Sequence, residues 1–88
     1  MRLSWSRESF GYALRDGDGL ARATMVQNRE GFWGQIITRN MPDSGPYKNR
    51  RDAAQWVARM MVRWELVPAT STFDQNFPVP VAAKRRAA

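Results

Sequence analysis

The clearest alternation of apolar and polar positions runs from Asn49 to Leu66. At about 100° per residue, Ala53, Trp56, Val57, Met60, Met61 and Trp64 share one broad sector, and Arg51, Gln55, Arg59 and Arg63 step by four along the other side. An apolar sector this wide is a buried stripe, so the spacing predicts a helix of about seventeen residues, roughly 25 Å long. Asn49 is placed to accept a hydrogen bond from the first turn. Asp52 completes a box-like cap and sets a negative charge against the positive helix end. Pro68, which has no N–H, is expected to stop the helix. Two tryptophans and two methionines on one side require a surface for the helix to lie on.

Upstream, the period changes to two. Phe10, Tyr12 and Leu14 alternate with Gly11, Ala13 and Arg15, the pattern of a half-buried strand. Asp16-Gly17-Asp18-Gly19 reads as a hairpin turn, Leu20 to Gln27 as a second strand and Asn28 to Gly31 as a second turn. Gly31 to Arg39, rich in aromatic and β-branched residues, reads as a third strand. Asn40 to Lys48, with Pro42, Gly45 and Pro46, reads as a loop leading to the helix cap. The expected fold is therefore α+β, a three-stranded antiparallel β-meander packed against one C-terminal α-helix (βββα). Residues 1–8 read as an N-terminal arm with Trp5 on the domain edge, 9–67 as the domain, and 68–88 as an extended or disordered Pro-containing basic tail. Phe73 and Phe77 are placed to tether the first half of that tail.

Only one face of such a sheet meets the helix. With Phe10, Tyr12 and Leu14 inward, the matching inward positions are Ala21, Ala23 and Met25, then Phe32, Gly34 and Ile36. Ala23 and Gly34 would let the helix approach at Ala53 and Ala54. The opposite face then carries Arg15, Arg22, Thr24, Trp33, Gln35, Ile37 and Arg39. The reverse register of the third strand would place Trp33 and Ile37 inside and Phe32 and Ile36 outside, and the sequence leaves both open.

Candidate chemistry is narrowed by what is missing. The chain has no cysteine and no histidine, which removes disulfides, thiolate chemistry, the usual zinc ligands and the commonest general base. There is no Walker-type glycine loop, and the 8 carboxylates are scattered. The expectation is a non-enzymatic protein with no cofactor and no metal. Asp16-Gly17-Asp18-Gly19 has the opening of a calcium loop, but no third ligand follows and Gln27 stands where the closing glutamate would be. No apolar run approaches the roughly 18 residues of a membrane span, and the first residues lack the apolar core of a signal peptide. A cytoplasmic, membrane-free protein is expected.

The formal charge is +6, with a sequence pI of about 11.1. Lys84, Arg85 and Arg86 account for half of that excess, so the body is only moderately basic. The concentration is local: Lys48, Arg50, Arg51, Arg59 and Arg63 are answered only by Asp52. A basic stripe of this kind suits phosphate backbones or an acidic protein surface.

The run Gly31-Phe32-Trp33-Gly34-Gln35-Ile36-Ile37-Thr38, followed by a glycine-bearing loop and Asn49-Arg50-Arg51-Asp52-Ala53-Ala54, resembles the strand-to-helix half of small three-stranded-sheet DNA-binding modules. The arm-binding domains of phage integrases and the plant AP2 type are the families meant, and Trp33, Asp52, Ala53 and Ala54 are the matching positions. The resemblance implies a sheet that enters the major groove. Those families place a further strand directly before the helix, where this chain has only Gly45-Pro46-Tyr47-Lys48. Arg50-Arg51 with Ala53 also resembles the helix start of double-stranded-RNA-binding domains, although their preceding helix is absent. Small phage and prophage accessory proteins are similar in build, and many bind a host protein. Two function classes follow. The first is nucleic-acid binding through Arg51, Gln55, Arg59 and Arg63, through the sheet-face residues Arg22, Trp33, Gln35 and Arg39, or through both. The alternative is a protein-interaction module anchored by Trp33 and its neighbouring arginines, including a homodimer that buries that face.

Overall fold

Leu3 and Trp5 alternate with Ser4 and Ser6, and this short period-two signal forms a full strand. The computed structural model describes residues 1–37, 42–74, 76 and 77. Its elements are β1 (Arg2–Glu8), β2 (Gly11–Arg15), β3 (Ala21–Asn28), β4 (Gly31–Ile36), β5 (Ser44–Tyr47), α1 (Arg50–Arg63) and β6 (Thr72–Phe73). They build one curled, mixed sheet in the order β5-β4-β3-β2-β1-β6. Every neighbouring pair is antiparallel except β1 and β6, which run parallel. The expected three-stranded meander with one helix is thus corrected, among the described residues, to six strands and one helix, still α+β.

Each added strand is short of apolar residues, which is why the pattern hid it. β1 buries Leu3 and Trp5 between polar neighbours, so residues read as an arm pair with β2 from Ser4↔Arg15 to Glu8↔Gly11. β5 is Ser-Gly-Pro-Tyr, a composition of loops, yet Tyr47 pairs with Phe32 and Ser44 with Gly34. Proline is tolerated there because β5 lies at the sheet edge, where a missing N–H breaks no ladder. β6 is two residues within the expected tail, held by the Thr72 N–H to the Met1 carbonyl and the Asp74 N–H to the Leu3 carbonyl, each 2.8 Å.

The inner face carries Leu3, Trp5, Tyr12, Leu14, Ala23, Met25 and Ile36, all buried. Phe10, expected inside, lies in the β1–β2 turn and is exposed. β4, the strand expected as third, has Gly34 and Ile36 inward, with Trp33 and Gln35 on the outer face. Helix α1 packs on β3, β4 and β5 through buried Ala53, Ala54, Val57 and Met61, with Trp56 and Met60 half-buried. Gly34 does admit the helix, with Trp56 and Val57 the side chains nearest to it. A Cβ there would come within 2.8 Å of Trp56 Cε3 and 3.0 Å of Val57 Cγ2.

The helix starts as its cap implies, with the Asp52 N–H donating to Asn49 Oδ1 at 2.9 Å. It ends earlier than Pro68. Glu65 adopts φ 56°, its N–H bonds the Val62 carbonyl at 3.0 Å, and the Leu66 N–H bonds the Met61 carbonyl at 2.9 Å. This paired closure terminates a helix without proline. Trp64 is consequently the C-cap and is 44% exposed, outside the stripe it was expected to join.

The chain then turns back toward the β1–β2 half of the inner face. Val67 is buried, β6 docks on β1, and the Phe77 ring packs at 6.1 Å from Trp5 and edge-on at 5.5 Å from Tyr12. The core therefore has two covers, the helix on one side and residues 66–74 with Phe77 on the other. The remainder of the expected tail, 78–88 with Lys84, Arg85 and Arg86, lies outside the described residues.

Candidate nucleic-acid interface

The helix periodicity that buries Ala53, Val57 and Met61 leaves Arg51, Gln55, Arg59 and Arg63 exposed. From Arg51 to Arg63 the row rises about 18 Å along the helix axis. Among the described residues the ion pairs are Arg15–Glu8 and Arg22–Asp16, so none of the three arginines of the row has a carboxylate partner. Asp52, also exposed in the first turn, is the one acid on the helix.

The outer sheet face is built differently. Arg22, a candidate contact, donates from Nε to Asp16 Oδ2 at 2.9 Å, and its side chain is 23% exposed. Arg15 is held by Ser6 Oγ at 3.1 Å, the Gly19 carbonyl at 2.9 Å and Glu8 Oε2 at 3.5 Å. Trp33 is half-buried, with its Nε1 donating to Asn28 Oδ1 at 3.2 Å. Gln35 is exposed and accepts from Thr24 Oγ1 at 3.0 Å. Arg39 lies outside the described residues. The candidates thus separate into a row of unpaired cations on α1 and a sheet face whose polar groups are answered by cross-strand or turn neighbours. Sequence periodicity found the row; it had no way to show that Asp16 and Glu8 sit within reach of Arg22 and Arg15.

Asp16 anchors its turn as well as Arg22, accepting from the Asp18 N–H at 2.9 Å and the Leu20 N–H at 3.1 Å through Oδ1. The hydrogen bond from Arg22 is the main reason its carboxyl titrates below its ordinary value of 3.8. Desolvation opposes the shift, and the two turn N–H groups reinforce it. A folded-state pKa lower than the unfolded one contributes stability above the unfolded pKa and loses it as pH falls through the folded value. Wild type should therefore exceed Asp16→Asn in urea midpoint at neutral pH, with the gap closing below pH 3.8. A gap that stays constant into strong acid would remove the Asp16–Arg22 pair from the stability account.

Among the described residues, no group of three or more acidic, histidine or cysteine side chains is arranged to hold a metal, and no helix is long and apolar enough to cross a membrane. One feature of the inner rim was missed by sequence reading. Arg50 Nη1 donates to the Tyr12 hydroxyl at 2.9 Å, and the Arg50 guanidinium lies 5.7 Å from the Tyr12 ring centre and 5.9 Å from that of Phe32. Arg7, opposite Tyr12 in the β1–β2 ladder, lies 5.3 Å from the same ring and donates to the Gly11 carbonyl at 3.0 Å. The signal available beforehand was the Arg50-Arg51 pair; the tyrosine it meets lies 38 positions away. Compared with protein-family models, with curated proteins and with solved structures, the chain shows no match.

Proposed function

We propose that this protein is a small non-enzymatic binding module that holds nucleic acid through the guanidinium row of α1. The observation that carries the reading is the contrast in charge pairing. Arg15 and Arg22 are neutralised within the fold, whereas Arg51, Arg59 and Arg63 stand exposed in one line without a carboxylate partner among the described residues. A strand carries one phosphate per roughly 3.4 Å, so a row of about 18 Å spans several. Binding would be driven by release of condensed counterions, with Gln55 supplying an amide between the cations.

The test is a salt series on a duplex oligonucleotide with wild type and the triple variant Arg51→Gln, Arg59→Gln, Arg63→Gln. Each lost phosphate contact removes about 0.9 from the log–log slope, so the variant should be shallower by about 2 to 3 and bind more weakly at low salt. The three side chains are exposed, so the thermal midpoint should hardly move. A wild-type affinity that is flat with salt would end this reading and leave an acidic protein surface as the occupant to test.

A further inference from the structure

Arg15 and Arg22 on the sheet's outer face have carboxylate partners, but Arg7 and Arg50 at the inner rim do not. Arg50 is held by a phenol hydroxyl and two aromatic rings, Arg7 by a carbonyl and one of the same rings. Neutral groups of this kind orient a guanidinium without cancelling its charge. Two cations gathered around Tyr12 therefore raise the local potential, and neither is ion-paired to a carboxylate among the described residues. Beside them is a cleft of about 330 Å³ lined by Asn49, Arg50, Arg51 and Phe77, at the small end of ligand pockets. The helix N-terminus is not what makes this site, because Asn49 already caps it and Asp52 already balances it.

We propose that this cleft binds one nucleotide unit of a nucleic-acid strand, with the phosphate between the Arg50 and Arg51 guanidiniums and the base against the Phe77 ring. The choice of a nucleotide over other phosphate esters rests on the nucleic-acid reading above and on the aromatic wall. Arg50 is the more ordered ligand: Tyr12 and Phe32 fix its plane, so its fork meets a phosphate with little left to organise. Arg51 continues directly into the exposed row of α1. A strand seated in the cleft would therefore be collinear with the cations that follow. Arg7 touches nothing in the cleft and acts through Tyr12 as a positioning residue.

The test uses the full chain and adenosine monophosphate as probe, followed through the backbone amides of Arg50 and Arg51 and the ring signals of Phe77. Adenosine monophosphate should bind at least about tenfold more tightly than adenosine or inorganic phosphate, because both halves of the cleft are then used. Arg50→Lys keeps the charge and the packing stem but loses the fork, and should weaken the nucleotide about tenfold in a chain that stays folded, its urea midpoint lowered only by the Tyr12 contact it gives up. Arg59→Gln with Arg63→Gln should leave the mononucleotide affinity unchanged while weakening a single-stranded oligonucleotide. That oligonucleotide should also displace the mononucleotide. No shift at Arg50, Arg51 or Phe77, or equal binding of phosphate and nucleotide, overturns the site while leaving the row on α1 untouched. An oligonucleotide that binds without displacing the probe overturns the assignment to a strand.

Discussion

Replacing Trp5 by alanine is expected to remove about 3–5 kcal/mol of folding free energy, the range for truncating a buried aromatic side chain. Trp5 is 4% exposed in the middle of β1, packs against Phe77 and stands directly opposite Leu14 in the β1–β2 ladder. An 88-residue chain at roughly 0.05–0.15 kcal/mol per residue has only about 4–13 kcal/mol to lose. The variant should therefore be near its unfolding midpoint at modest urea. Ser4→Ala, one position away on the exposed side, should stay within about 0.5 kcal/mol of wild type. Equilibrium urea unfolding followed by far-ultraviolet circular dichroism measures both. A Trp5→Ala loss below about 1 kcal/mol would return residues 1–8 to the status of an arm.

That experiment bears on what was legible beforehand. The helix was readable because its stripe repeats over three turns, and its cap could be named because Asn49 Oδ1 acts within three residues. The central hairpins were readable because Asp-Gly and Asn-to-Gly turns punctuate long apolar alternations. β1 offered only Leu3 and Trp5, β5 contains Gly45 and Pro46, and β6 is two residues long. For these, pairing to a neighbour decides strand formation: β1 lies against β2, β5 against β4, and β6 against β1, whose partners Arg2↔Thr72 and Leu3↔Phe73 come from opposite ends of the described chain. The helix stop was misassigned for a related reason. Pro68 is a visible breaker, but Glu65 in a left-handed conformation completed the closure first.

The same division holds for the site. A row at i, i+4, i+8 and i+12 on a helix follows from local geometry alone, so Arg51, Gln55, Arg59 and Arg63 were found together. Whether a sheet arginine is free depends on which turn lies across from it, and Asp16 and Glu8 take Arg22 and Arg15 out of circulation. The outer face consequently presents less uncompensated charge than its composition suggests, and Trp33 is engaged with Asn28 rather than standing clear. The helix row and the Arg7–Tyr12–Arg50 rim are where unpaired guanidiniums stand together, since the described ion pairs involve only Arg15 and Arg22.

The β1–β2 hairpin also contains the position where a single methyl group should do most harm. Gly11→Ala is expected to cost about 3 kcal/mol or more, from two effects that add. Gly11 has φ 147°, where a side chain is strained by about 1–3 kcal/mol. Its Cβ would strike the Met25 carbonyl oxygen and come within 3.2 Å of the Met25 carbonyl carbon and 3.3 Å of the Gln27 nitrogen. Those atoms belong to the β3 backbone, which pairs with β2 through Gly11↔Val26 and Tyr12↔Met25. They cannot retreat as a flexible side chain would without opening the ladder, so overpacking adds about 1–3 kcal/mol. Gly17→Ala is the control, because a Cβ there meets nothing within 4 Å and its φ is not positive. That change should be neutral or stabilise by up to about 1 kcal/mol, by restricting the unfolded chain. Urea midpoints for the pair, with amide exchange in β3 as a local readout, separate strain at the hairpin from a general penalty for alanine. If Gly11→Ala and Gly17→Ala unfold at the same urea concentration, β3 does not press on the hairpin as the backbone contacts require.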